Sequence, residues 1–186
     1  MSGWVSRNET VEWQRRWLQR QIASFRELEG QTVAKWVGKE MAMRCGGPDS
    51  RPQWEDDSVP FLQLGVVQLT VVETGIVQIG TYQDDDEFGL ARWDGETRLA
   101  FEDPDRDSIY RTRELRELPL GEITAIVIMT DARGIISEVQ LTVAGFKVQV
   151  RAGEILEDHD GSLRVVLGDE SILVQVDGQK PKLLRT

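Results

Sequence analysis

The spacing of hydrophobic positions changes once along this chain, near Phe61. Before that point it is helical. Val11, Leu18, Ile22 and Phe25 recur on one side of a helix, with Trp13 and Trp17 one turn apart beside them. Arg15, Arg16, Gln19, Arg20 and Arg26 make the opposite, solvated face. Ser6 and Glu9 fit a capping box, in which each side chain satisfies an orphan amide at a helix start. Gly30 tolerates the left-handed turn that ends one. The spacing therefore predicts a helix over 6–29. Residues 31–45 suit a helix or a strand. Gly30-Gln31-Thr32-Val33 directly after a helix favours a strand, with a bulge near Gly38. Gly46, Gly47, Pro48, Pro52 and Pro60 among polar residues make 46–60 a connecting loop.

From Phe61 onward the period is two, the repeat of a strand with one buried face. Strands are predicted at 61–72, 76–82, 88–93, 97–101, 109–117, 122–130, 135–144, 146–152, 154–157, 162–167 and 171–177. Short turns separate them, including Glu73-Thr74-Gly75, Asp84-Asp85-Asp86-Glu87, Asp158-His159-Asp160-Gly161 and Gly168-Asp169-Glu170. Val139, Leu141 and Val143 alternate with Glu138, Gln140 and Thr142, so that strand has one wet face. Residues 123–129 are apolar on both faces, which predicts a central strand covered on both sides. The connections are too short for parallel crossovers. The expected fold is α+β: a predominantly antiparallel β meander, as a curled sheet or sandwich, with one N-terminal amphipathic helix packed on it. A single domain over 1–186 is expected. Residues 1–45 give the helix and a strand, 46–60 the loop and 61–186 the β-rich body.

Charge divides the chain at a similar place. Residues 1–54 carry nine Lys/Arg against six Asp/Glu; residues 55–186 carry thirteen against twenty-six, for a net charge of −10. Five of the six Trp lie in the first part. A negative field of this size attracts basic partners and repels nucleic acid and anionic membranes. No apolar run is long enough for a membrane-spanning helix, and the first residues lack a signal-peptide profile. The one cysteine, Cys45, fits a reducing compartment, so a cytoplasmic protein is expected.

The sites that chemistry would use are few. His159 is the only histidine, so any Ser-His-Asp or Cys-His arrangement would have to include it. It sits among turn residues with no nucleophile motif nearby. Cys45 beside Arg44 reads as packing rather than as an activated thiolate. Asp103, Asp105, Asp107 and Glu114 nearly match the spacing of a calcium loop, with Ser108 where that loop needs glycine and Arg106, Arg111 and Arg113 crowding the ion. An acidic surface loop leading into an edge strand explains the same residues and is the preferred reading. No phosphate-binding, dinucleotide or zinc motif is present, and no cofactor is expected.

The four consecutive carboxylates Asp84, Asp85, Asp86 and Glu87, flanked by Tyr82, Phe88 and Trp93, suit partner recognition better than metal binding. Neighbouring strand residues point to opposite faces, whereas a charged tip with aromatic neighbours offers a basic protein both steering and anchorage. In composition the chain resembles the cytosolic immunity proteins of bacterial toxin systems, which are small, often strongly acidic, and bind toxin domains directly. The resemblance implies a non-enzymatic protein that engages a basic protein partner. The alternative is a divalent-metal or carboxylate-dependent enzyme that uses the acidic loops. A homo-oligomer joined through sheet edges is a third expectation.

Overall fold

The computed structural model describes residues 7–44, 51–95, 99 and 108–177, with only the backbone course for 7–11. Among these residues one helix precedes nine strands, all antiparallel and all in one sheet. Helix α1 (Arg7–Arg26) is followed by β1 (Thr32–Met41), so the segment after Gly30 is a strand. Gly30 itself sits at φ +81°, the conformation that turns the chain out of the helix. The expected bulge near Gly38 is corrected: the extra residue of β1 is Ala34, between Val33 and Lys35, and at the slip between Lys39 and Glu40 the extra residue is Gly65 on the neighbouring strand. The expected cap residue Ser6 lies outside the described residues.

The hairpin-forming stretch continues with β2 (Leu62–Val71), β3 (Gly75–Asp84), β4 (Glu87–Asp94) and β5 (Tyr110–Glu114). A four-strand meander follows: β6 (Gly121–Thr130), β7 (Ile136–Val143), β8 (Phe146–Glu157) and β9 (Leu163–Val176). The segments expected separately at 146–152 and 154–157 form the single strand β8. Those at 162–167 and 171–177 form β9, with residues 168–171 looped out between the pairs Gly153–Leu167 and Ala152–Ile172. Of the segment at 97–101, only Leu99 is described.

The sheet closes on itself. Its order is β4-β3-β2-β9-β8-β7-β6-β1-β5, and β1 also pairs with β2. Six strands (β1, β2, β9, β8, β7 and β6) thus form a hydrogen-bonded ring, which removes most free edges. Two forks make this work. One edge of β2 pairs with β9 through Leu62–Leu64 and with β3 through Val67–Val71. One edge of β1 pairs with β6 at Thr32 and Val33 and with β5 from Val37 to Met41.

Alternation explains the interior. Val67, Leu69, Val77, Ile79, Val139, Leu141, Val143, Val148 and Val150 are fully buried in one apolar core. The expected wet face of β7 has an exception: Glu138 is buried and accepts a hydrogen bond from Arg151 Nε at 2.6 Å. The expectation for 123–129 is corrected. Ile123 is fully buried, but Val127 and Met129 are 47% and 46% exposed. Strand β6 meets β1 only at Gly121 and Glu122, and Ile123 bonds the backbone of Gly30 and Gln31; from Thr124 onward β7 is its one strand neighbour.

Helix α1 packs against the margins of β4 and β6. Phe25 is fully buried, Leu18 is buried, and Ile22 packs against the core. The helix also satisfies the margin of β4: the Arg92 amide donates to Gln21 Oε1 at 2.8 Å, and the Arg92 guanidinium donates to the Ser24 carbonyl and to Glu27 at 3.1 Å. The first of these bonds occupies a backbone N–H of β4 that would otherwise be open to another strand. Among the described residues no helix is long and apolar enough to cross a membrane.

Candidate functional site

The four carboxylates sit where β3 turns into β4. Asp84 pairs with Glu87 across the hairpin, leaving Asp85 and Asp86 as the turn. Asp85 has φ +53°, a conformation that Asp and Asn tolerate better than most residues. Gln83 Nε2 donates to the Asp85 carbonyl at 3.0 Å and steadies the turn. Asp85, Asp86 and Glu87 are exposed, and Asp84 is half-buried.

A second turn reaches this tip. Between β6 and β7, Asp131 Oδ1 accepts the amide N–H groups of Arg133 at 2.9 Å and Ile135 at 2.8 Å. Burial pushes the Asp131 pKa up, but those bonds and the Arg133 charge outweigh it and hold the carboxyl below its ordinary range. Arg133 bonds Asp131 Oδ2 at 3.3 Å and forms an ion pair with Glu87. One of the four tip charges is therefore neutralised by a residue from a distant part of the chain.

Helix α1 supplies the third wall. Trp17 meets the Tyr82 ring edge-on, with centroids 4.5 Å apart and planes at 73°. Trp13, one turn earlier, is 61% exposed. Together with Arg15, Asp84, Asp85 and Arg133, these aromatics line a cleft of about 620 Å³. Tyr82 forms a rigid part of it. Its ring covers Gly89 on the neighbouring strand, where a Cβ would come within 2.7 Å of the ring and 2.5 Å of Ile135 Cγ2. The Tyr82 hydroxyl is buried without a hydrogen-bond partner. Burial first, then the charges of Asp84 and Asp131, raise its pKa far above the ordinary value and keep it neutral.

The expected partner-binding residues thus divide. Tyr82, Asp84 and Asp85 line the cleft, and Asp86 and Glu87 follow in the same turn without lining it. Phe88 pairs with Gln83, on the face of the hairpin opposite Tyr82. Trp93 pairs with Gln78 and lies over Gly80, about 20 Å along the strand from the tip. The sequence pattern assigns Trp13 and Trp17 to covering the core and does not single out Asp131 or Arg133. The available signal was the position of the two Trp beside the buried stripe rather than on it.

The other candidates lie elsewhere. Glu114, on β5, faces Lys35 at 3.2 Å and Arg116 at 3.6 Å, so two cations already hold it. Asp103, Asp105, Asp107 and Cys45 lie outside the described residues. His159 is exposed in the turn between β8 and β9. Arg44 braces that turn, donating to the Gly161 carbonyl and to Glu157 at 2.7 Å, while also pairing with Asp56 at 3.1 Å. Among the described residues, no three His, Cys, Asp or Glu side chains group so that they could hold a metal ion.

A different charge cluster is enclosed. Glu40 on β1 is 1% exposed and accepts from Arg111 Nε and from Arg113 Nη2, the first at 2.5 Å and the second at 2.7 Å. Arg113 also pairs with Glu117, and Arg111 stacks over Trp54 with its guanidinium carbon 4.4 Å from the ring centroid. Burial opposes the charge on Arg113, but Glu117 and Glu40 more than offset it and hold its pKa above the ordinary value. No protein-family model matches the chain, and no curated protein matches it.

Proposed function

We propose that this protein is a non-enzymatic, acidic binding protein of the immunity or inhibitor kind, working in the cytoplasm and engaging a basic protein partner through the tip of the β3–β4 hairpin. The observation that carries this reading is the display of Asp85 and Asp86 in water beside the aromatic cleft, rather than their use in internal ion pairs. Exposed like charges on one turn speed encounter with an oppositely charged protein, and nearby aromatics give the complex a contact that persists after encounter.

The test is capture on the immobilised protein, in parallel with the variant Asp84→Asn, Asp85→Asn, Asp86→Asn. Asn keeps the turn geometry at Asp85 and removes only the charge. The native tip should retain a protein of high isoelectric point at low salt. It should release that protein as the Debye length falls below about 10 Å, and the variant should fail to retain it. Equal retention by both proteins, unchanged by salt, would show that the tip charges have no part in recognition.

A further inference from the structure

We propose that the cleft takes one arginine or lysine side chain of the partner. Its aliphatic stem would lie against Trp13, Trp17 and Tyr82, and its cationic head would sit at Asp84 and Asp85. This rests on the reading of the hairpin tip as the partner-binding end.

Three features select that occupant. The first is charge. Of the two cations in the lining, Arg133 is committed to Asp131 and Glu87 and Arg15 stands exposed on the outer face of α1, while among the described residues neither Asp84 nor Asp85 has an ion-pair partner. An anion would face both carboxylates. A neutral apolar group would strip water from them and offer nothing in return. The second is the aromatic wall. Indole and phenol faces carry negative potential and attract a cation placed over them, Trp most strongly. Trp13 stands 61% exposed at the mouth with that capacity unused. The third is shape. A volume of about 620 Å³ lies within the roughly 300–1,000 Å³ typical of ligand sites. Tyr82 over Gly89 and Trp17 against Tyr82 hold two of the walls in place before anything binds.

The experiment uses the intact protein, a tetra-arginine peptide, and the same peptide with citrulline at every arginine, which keeps the shape and removes the charge. The indole N–H resonances of Trp13 and Trp17 should move as the arginine peptide is added and stay still with the citrulline peptide. Trp13→Ala should weaken arginine-peptide binding about five- to tenfold while leaving the melting temperature unchanged. Suppose instead that the arginine peptide binds and depends on Asp85 and Asp86, but the indoles do not move and Trp13→Ala has no effect. The cleft assignment would then be wrong and the role of the tip would stand. If the arginine peptide does not bind at all, both fall. The resonance measurement needs no variant, so it decides the matter even if a substitution perturbs the helix.

Discussion

Glu40 on β1 and the carboxylates at the end of β3 lie in strands separated in the sheet by β2 alone, yet they are treated in opposite ways. Glu40 is enclosed, and both its oxygens accept bonds from guanidinium groups. The tip carries four acids, of which Glu87 has a cation opposite it and Asp85 and Asp86 stand in water. A carboxylate removed from water must be paired, because desolvating it alone costs several kcal/mol. A carboxylate left at a turn carries no such cost and keeps its field. The charges of Asp85 and Asp86 are therefore not a requirement of the interior, and the fold leaves them in water at the turn.

The sharpest way to break that comparison is to treat both regions alike. Glu40→Ala should cost about 3–5 kcal/mol, because the half-buried Arg111 and Arg113 would lose their shared partner and a cavity would replace a fully buried side chain. The triple Asn variant at the tip should stay within about 0.5 kcal/mol of the native protein. Urea unfolding of both variants checks this, and a tip variant as unstable as Glu40→Ala would make those acids structural. A similar contrast runs along helix α1. Phe25→Ala should cost about 3–5 kcal/mol through the cavity it leaves, whereas Trp13→Ala should cost no more than about 0.5 kcal/mol. A large loss at Trp13 would mean that the cleft is part of the core.

The smallest effects concern pH, and they have opposite signs at two sites. Asp131 has a lowered pKa in the folded protein. Its stabilisation is therefore present above the unfolded carboxyl value of about 3.9 and is lost as pH falls through the depressed folded value. Glu154, on β8, has a raised pKa, chiefly from burial and then from the charges of Asp169 and Glu170 in the looped-out segment of β9. The sign is the reverse of that at Asp131. The cost of ionised Glu154 is fully present above its folded value and disappears as pH falls below the unfolded one. Glu154→Gln should therefore raise the melting temperature slightly at pH 7 and leave it unchanged near pH 3. A gain that persists in acid would mean that charge is not its source.

Much of the fold was legible because each strand declares itself locally. Val139, Leu141 and Val143 alternate with polar neighbours, and turns such as Ala144-Gly145 lie between such runs. Ring closure was not legible, because no local pattern says that β1 will pair with both β2 and β6. The apolar stretch of β6 misled for a related reason. A run of Ile, Val and Met reads as doubly covered, but the register leaves β7 as its one strand neighbour from Thr124 onward, with Val127 and Met129 exposed. At the candidate site the four acids and Tyr82 were visible as a cluster. Trp13, Trp17, Asp131 and Arg133 were not associated with them, because residues 13–17, 82–85 and 131–133 meet only once the sheet has closed.

That closure also sets the timetable by which the molecule comes into being. Leu62, Gln63 and Leu64 find their hydrogen-bonding partners at Val174, Leu173 and Ile172, more than a hundred residues later. Contacts so distant along the chain are slow to form. A ribosome must have released the chain through Val174 before β2 can meet β9, and until then the Leu62–Leu64 margin of β2 stays open. A chain cut short before Leu163 would keep β2 and β8 permanently in that waiting state, exposed to one another's copies and prone to precipitate.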